Sequence, residues 1–170
     1  ATVTLNSSGV LNLNNFNENI AELDGVAGAS VTMGTGDLGI TGSGDSVYAG
    51  TLTGGASSAL NKSGTGKLTL SGDNSGFAGA VGLSAGIMNV SGTNANILGT
   101  GTVSIAGTGN LELQGGTTLG NAMSLFSMGT GAMDGAIQNL AGNNTIAGNV
   151  TLAGGSRIQS DAGTLTVAGT

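Results

Sequence analysis

The sequence predicts an all-β protein, a β-solenoid with short strands and glycine-rich corners. Three observations lead to this prediction. Short segments that alternate apolar and polar residues recur along the whole chain, and glycine brackets them. Glycine fills 35 of 170 positions, and charged residues make up only 7%, against roughly a quarter in an ordinary globular protein. We expect one solenoid segment spanning residues 1–170.

The repeat is clearest at 64–72, "GTGKLTLSG". Because side chains alternate in a strand, Leu68 and Leu70 point to one face, and Lys67 and Thr69 point to the other. The flanking glycines permit the sharp corners that end such a strand. The same form recurs at 34–42, 99–107 and 107–115, and a shorter form recurs at 9–13, 79–83, 86–90, 148–152 and 163–167.

A strand this short cannot bury its apolar face alone, so the segments must stack on one another in coils. About 20–25 residues per coil predict roughly seven or eight coils and a rod of about 35 Å. Thr, Ser and Asn suit the outward positions, where like charges on successive coils would repel each other. The residues predicted to point inward include Leu68, Leu70, Leu83, Val90, Ile105, Leu113, Leu152 and Val167.

Some segments carry weaker local predictions. The aromatic residues Phe16, Tyr48, Phe77 and Phe126 are expected to fill wide corners or cap the apolar column. Residues 16–23 fit one helical turn, but their alternation fits a strand as well. The first residues lack a signal-peptide pattern and neither end has a polar capping sequence. We therefore expect a longer rod, or copies stacked end to end.

Composition argues against several function classes. The net charge of −6 argues against a nucleic-acid partner, which needs a basic face, and against attachment to anionic lipid. No apolar run approaches the roughly 18 residues of a membrane helix, so we expect no membrane insertion by this segment. The chain has no histidine and no cysteine. A Ser-His-Asp triad would therefore lack its base, and a typical zinc site would lack its ligands.

The acidic residues give the candidates for a metal or catalytic site. Asp37 and Asp45 follow similar glycine-rich segments and are weak calcium candidates, but the spacing departs from the calcium-binding nonapeptide repeat. Corner residues that bond their own backbone are the alternative. Glu18, Glu22 and Asp24 could pair for acid–base chemistry, or be a solvated corner. We predict no catalytic residue, no cofactor and no enzymatic activity.

One stretch resembles a known family. Residues 60–90, "LNKSGTGKLTLSGDNSGFAGAVGLSAGIMNV", are similar to the autotransporter-associated β-strand repeat of bacterial surface proteins. The matching positions are Leu60, Lys62, Gly64, Gly66, Leu68, Leu70, Gly72, Asn74, Phe77, Gly79, Ala85, Gly86 and Val90. The resemblance implies a right-handed parallel β-helix, surface exposure and secretion through an outer membrane, and it implies no reaction. The displaced aromatic in "DNSGF" departs from the family pattern.

The predicted function is therefore structural or adhesive: a passenger, stalk or filament subunit at the bacterial cell surface, outer membrane-associated or extracellular. Its partners would be adjoining repeats or copies of itself, with host or matrix glycans as possible targets. The alternative is a glycan- or calcium-binding module on the lateral face. The Thr-x-Thr pairs at 2–4, 51–53 and 164–166 suggest an ice-binding face, but the strands at 67–71, 102–106 and 110–114 break the pattern.

Overall fold

A computed structural model describes residues 1–131 and 134–169 of the chain. Within these residues the chain forms 21 β-strands and no helix. Every ladder between neighbouring strands is parallel, and successive strands of a sheet come from successive turns of the chain. The predicted β-solenoid is therefore confirmed, with about eight turns.

Two long sheets run the length of the rod. Sheet A contains, in spatial order, β1 (Val3–Leu5), β4 (Leu23–Gly25), β7 (Ser46–Tyr48), β10 (Lys67–Leu70), β12 (Ile87–Ser91), β14 (Asn110–Gln114), β17 (Ile137–Ala141) and β20 (Ile158–Ser160). Sheet B contains β3 (Glu18–Ile20), β6 (Leu38–Ile40), β9 (Ala59–Lys62), β11 (Ala80–Leu83), β13 (Val103–Gly107), β16 (Met123–Ser127) and β19 (Val150–Leu152).

The third face is divided into two short sheets. Sheet C contains β2 (Val10–Asn12), β5 (Ser30–Thr32) and β8 (Thr51–Thr53). Sheet D contains β15 (Thr118–Leu119), β18 (Asn144–Ile146) and β21 (Leu165–Val167). Between them, residues 71–79 and 92–102 form no strand, and a single parallel bridge joins Gly54 to Phe77.

Each coil passes through sheet A, the third face and sheet B in that order. Coil 1 holds β1–β3, coil 2 β4–β6, coil 3 β7–β9, coil 4 β10 and β11, coil 5 β12 and β13, coil 6 β14–β16, coil 7 β17–β19, and coil 8 β20 and β21. Register partners lie 20 residues apart between Val3 and Leu23, and 27 apart between Met123 and Val150. Seven spacings between coils give a rod of about 34 Å.

Inward side chains of sheets A and B, most of them apolar, form rows along the rod. One row of sheet A runs Leu5, Gly25, Tyr48, Leu70, Val90, Leu113, Asn139 and Ser160. One row of sheet B runs Ile20, Ile40, Lys62, Leu83, Ile105, Leu125 and Leu152. Leu68, Leu70, Leu83, Val90, Ile105 and Leu113 are buried, as the alternation predicts.

Two predicted inward residues are exposed. Leu152 is 60% exposed and Val167 is 45% exposed. Both pair with buried residues of the preceding coil, Leu125 and Ile146, and so occupy the expected inner rows. They are exposed because β19 and β21 are edge strands, which no further strand of the described residues covers.

The expectation for the aromatic residues holds for two of the four. Tyr48 and Phe77 are fully buried inside the solenoid, whereas Phe16 is 67% exposed and Phe126 is 57% exposed, so these two neither fill corners nor cap the column. Phe126 pairs with Ala106 on β13, one residue from the inward Leu125, and alternation directs it outward. The helical turn considered at 16–23 is absent; β3 and the first residue of β4 occupy this segment, with a bend at Ala21.

Candidate functional site

The two calcium candidates lie at different corners. Asp37 precedes β6 of sheet B, and Asp45 precedes β7 of sheet A. Asp45 Oδ1 accepts a hydrogen bond of 2.8 Å from the amide of Lys67. Asp45 therefore bonds the backbone of the next coil, whereas the corner alternative predicted a bond to its own backbone. The Asp37 amide donates to Asn17 Oδ1 at 2.9 Å. The described residues contain no group of three or more His, Cys, Asp or Glu that could hold a metal.

The acids Glu18, Glu22 and Asp24 also separate between two sheets. Glu18 begins β3 of sheet B, and Asp24 is the middle residue of β4 in sheet A. Glu22 accepts hydrogen bonds from the Thr2 hydroxyl and from the Gly44 amide. Asp24 Oδ1 accepts from the amide of Val47 at 3.0 Å. Glu22 and Asp24 therefore connect neighbouring coils, and the three acids do not form one site.

Buried asparagines take over backbone hydrogen bonds where the third face is irregular. Asn74 Oδ1 accepts from the Leu52 amide at 2.7 Å, and its Nδ2 donates to the Ile97 carbonyl at 2.6 Å. Asn144 Oδ1 accepts from the amides of Gly116 and Thr117 at 3.0 and 2.9 Å. These side chains satisfy backbone groups that a regular ladder would otherwise pair.

Lys62 is the least expected residue of the interior. It is 2% exposed and lies in an inner row of sheet B, opposite Ile40 on one side and Leu83 on the other. Its ammonium donates to the carbonyl of Gly64 in the following corner. Burial lowers the pKa of Lys62 from its usual value, and the negative charge of Asp45 partly opposes this shift.

The outward row of sheet A carries a hydrogen-bonded polar stripe. Lys67 in coil 4 reaches Glu112 in coil 6, with 2.9 Å between Nζ and Oε2. Asn89, which lies between them in coil 5, donates to the same Glu112 oxygen at 2.9 Å. The Glu112 side chain is 8% exposed and the Lys67 side chain is 35% exposed. The ion pair therefore spans two coils and is partly buried.

The polar stripe continues towards coil 8. Gln138 donates to Asp161 Oδ2 at 2.6 Å, and Gln159 donates to the other oxygen. These hydrogen bonds, that from Gln159 first, lower the pKa of Asp161. Residues Asn89, Glu112, Gln138 and Gln159 follow one register on successive strands. The sequence analysis did not single them out, although period-two alternation places all four on the outer face.

Hollows open on the surface formed by the described residues, and two of them differ in polarity. The larger, about 410 Å³, follows the ends of β1, β4 and β7 and is mostly apolar, with Leu5, Val26 and Val47 among its lining residues. The smaller, about 190 Å³, is polar and is lined by residues that include Asn96, Thr100 and Asn121. Asn121 Nδ2 donates to the carbonyls of Gly99 and Gly101. Its Oδ1 is buried and has no hydrogen-bond partner.

The Thr-x-Thr pairs do not share a face. The first pair flanks Val3 of sheet A, the second lies on β8 of sheet C, and the third flanks Leu165 of sheet D. The three pairs therefore do not build the flat face that ice binding would need.

Comparison of the chain with protein-family models, with curated proteins and with solved structures found no match. None of the described residues lies in a helix that is long and apolar enough to cross a membrane.

Proposed function

We propose that this chain is a structural segment of a bacterial cell-surface or secreted β-helical protein, acting as a passenger, stalk or extracellular filament subunit. The observation that carries the proposal is the continuous apolar column, which joins about eight coils through parallel ladders in sheets A and B. Such a column holds successive coils at a fixed spacing. The chain thereby acts as a spacer, and we assign it no reaction.

The sequence resemblance supports the same role. Residues 60–90, which resemble the autotransporter-associated repeat, run from β9 of coil 3 to β12 of coil 5. Leu68 and Leu70 of that motif point into the column, and Phe77 is buried where the third face is interrupted. Each of these positions suits stacking on a neighbouring coil. We therefore place the chain at the cell surface, associated with the outer membrane or released from it.

The proposed partners are further coils or copies of the chain stacked along the rod. Both edges of the solenoid are built from parallel strands, so each presents unpaired backbone groups to a partner strand of the same direction. At one edge, Leu152 and Val167 expose apolar surface that another coil would cover. Association would be head to tail and would lengthen the rod.

Immunogold electron microscopy on intact cells of the source organism tests the location. Antibodies raised against the purified chain should label the outer surface or extracellular filaments, because the proposal places the rod outside the cell. A cytoplasmic marker is the control and should remain unlabelled. Labelling of the chain only after permeabilisation would contradict the proposal.

Negative-stain images of the native protein would separate the subtypes: filaments favour a self-assembling subunit, and short rods favour a passenger.

A second candidate is a glycan-binding module on the lateral face, with calcium as a further ligand. The observation that favours it is the coil 8 end of the polar stripe on sheet A, where Asp161 is exposed and Gln159 is half-buried, so that their carboxylate and amide groups can accept and donate hydrogen bonds. Retention on polysaccharide columns would support this candidate, provided that Gln159→Ala weakens it and Asn61→Ala on sheet B does not. A melting temperature that rises with calcium would indicate the metal. Neither effect is expected from a spacer alone.

A further inference from the structure

Four polar side chains on the outer face of sheet A meet across three neighbouring coils. Lys67 of β10 and Asn89 of β12 both donate to Oε2 of Glu112 on β14, each at 2.9 Å. Gln114 of β14 donates to Oδ1 of Asn89 at 3.1 Å. Asn89 is 2% exposed and the Glu112 side chain 8% exposed. An amine, an amide and a carboxylate therefore share one site that is largely shielded from water.

The site combines a nucleophile, an electrophile and a proton carrier. A lysine amine attacks a carbonyl carbon once it is neutral, and Glu112 already accepts a hydrogen bond from the ammonium of Lys67. Shielding from water favours neutral groups over charged ones. The same Glu112 oxygen contacts Nδ2 of Asn89, which is the leaving group. Gln114 donates to the Asn89 oxygen on which negative charge develops during the attack.

The two reacting side chains are close enough to meet. Because both nitrogens lie 2.9 Å from one oxygen, they are within twice that distance of each other. Thr69 pairs with Asn89 in the ladder between β10 and β12, so Lys67 and Asn89 are diagonal neighbours on adjacent strands. The side chains of a lysine and an asparagine together span such a diagonal. The attack therefore requires side-chain rotation and leaves the register of the strands unchanged.

We propose that Lys67 and Asn89 form an intramolecular amide crosslink between coils 4 and 5. A bond forms between Nζ of Lys67 and Cγ of Asn89, the bond between Cγ and Nδ2 breaks, and Nδ2 leaves as ammonia. The ammonium of Lys67 gives up two protons. Glu112 passes one of them to Nδ2, and the departing ammonia carries the other away as ammonium. No oxidant or other co-reactant is consumed.

The product fastens β10 to β12 covalently in a chain that has no cysteine for a disulfide. The Lys67 side chain is 35% exposed and ion-paired, so the neutral amine is a minor form and the reaction is slow. Freshly folded protein therefore holds the ion pair, and the crosslink accumulates with time. The crosslink does not depend on the cell-surface role, so failure of the microscopy test would leave it standing.

Mass spectrometry of the full chain tests the crosslink. Purified protein kept at physiological temperature should lose about 17 Da, the mass of ammonia, over several weeks. A protease that cleaves before aspartate cuts at Asp73 and separates Lys67 from Asn89 in the unreacted chain. After denaturation and digestion, the reacted chain should yield these two peptides joined. A succinimide at an asparagine also releases ammonia, but it leaves the two peptides separate.

Variants identify the groups that take part. Lys67→Arg keeps a positive charge opposite Glu112 but supplies no amine, and Asn89→Ala removes the carbonyl, so neither should give joined peptides. Glu112→Gln should slow their appearance by about a hundredfold or more, because the proton carrier is lost. Asn61→Ala, an exposed asparagine of sheet B, is the matched control and should react like the unaltered protein.

The unaltered protein decides the outcome even if a variant fails to fold. Absence of joined peptides after several weeks would overturn the proposal. So would joined peptides in Lys67→Arg, or a rate that Glu112→Gln leaves unchanged.

Discussion

Leu70 shows how a single inward residue is held by its neighbours along the rod. It is 1% exposed and lies between Tyr48 of coil 3 and Val90 of coil 5 in one inner row of sheet A. The neighbouring Thr69 points outward and is half-buried. The sequence predicts this pair of environments, because the five residues between Gly66 and Gly72 alternate and leave only one apolar face.

Truncation of Leu70 should therefore be costly. Leu70→Ala is expected to lower the free energy of unfolding by about 2–5 kcal/mol, because it removes buried apolar contacts and leaves a cavity. Thr69→Ala is the matched control and should change it by about 0.5 kcal/mol or less. Urea denaturation of both variants measures the difference. Equal losses would contradict the inward position of Leu70.

Tyr48 occupies space that a glycine on the preceding coil leaves open. A Cβ at Gly25 would lie 2.7 Å from carbons of the Tyr48 ring, so only glycine fits there without a shift. The Tyr48 hydroxyl donates to the Thr51 carbonyl at 2.9 Å. Sequence alone does not predict this packing, because alternation gives the face of a residue and not its partner in the next coil.

Tyr48 also gives the stability a defined pH dependence. Burial raises its pKa from 10.0 to about 12, with a smaller opposing effect from the backbone of Val31. Because the folded protein holds the proton more tightly than the unfolded chain, the stabilisation is complete below pH 10 and is lost as pH rises through about 12.

Phenolate absorbance measures this prediction directly, since Tyr48 is the only tyrosine. The folded protein should titrate near pH 12 and the urea-unfolded chain near pH 10. Tyr48→Phe should lack this alkaline loss of stability. A folded-state midpoint near 10 would show that the ring is solvated.

At the scale of the strands, side chains that span coils supplement the ladders. The Lys67–Glu112 ion pair joins β10 to β14 across β12. The two residues are 45 positions apart in the sequence, so the local sequence pattern could not predict this pair. Lys62 carried a clearer signal, because it lies two residues after the inward Leu60. Its charge nevertheless favoured a position exposed to solvent. The Gly64 carbonyl, which accepts a hydrogen bond from the buried ammonium, is placed there by the geometry of the corner, and the sequence does not reveal that geometry.

A double-mutant cycle measures the interaction energy of the Lys67–Glu112 ion pair, which connects β10 to β14. Lys67→Met and Glu112→Gln should show a coupling energy of about 0.5–1 kcal/mol, because the pair is partly buried and hydrogen-bonded. The coupling should fall at high salt. Lys67→Met combined with Asp24→Asn, which lies on β4, should be additive within about 0.5 kcal/mol. Additivity of the first pair would mean that the ion pair contributes nothing.

At the scale of the molecule, the number of coils followed from length and repeat pattern, and the structure has about eight. The sequence pattern did not predict the interruption of the third face. Residues 71–79 and 92–102 are rich in glycine and asparagine, which fit several turn types. Their placement depends on buried side chains such as Asn74 and Phe77 and on the coils next to them.

Distances between spin labels along sheet A test most directly whether the coils form one in-register stack. The chain has no cysteine, so single pairs can be introduced cleanly. Labels at Thr69, Val47 and Thr4, each paired with one at Gln159, are separated by four, five and seven coils. The account predicts backbone separations of about 19, 24 and 34 Å, rising by about 4.8 Å per coil. Distances that do not increase with the number of coils would contradict it.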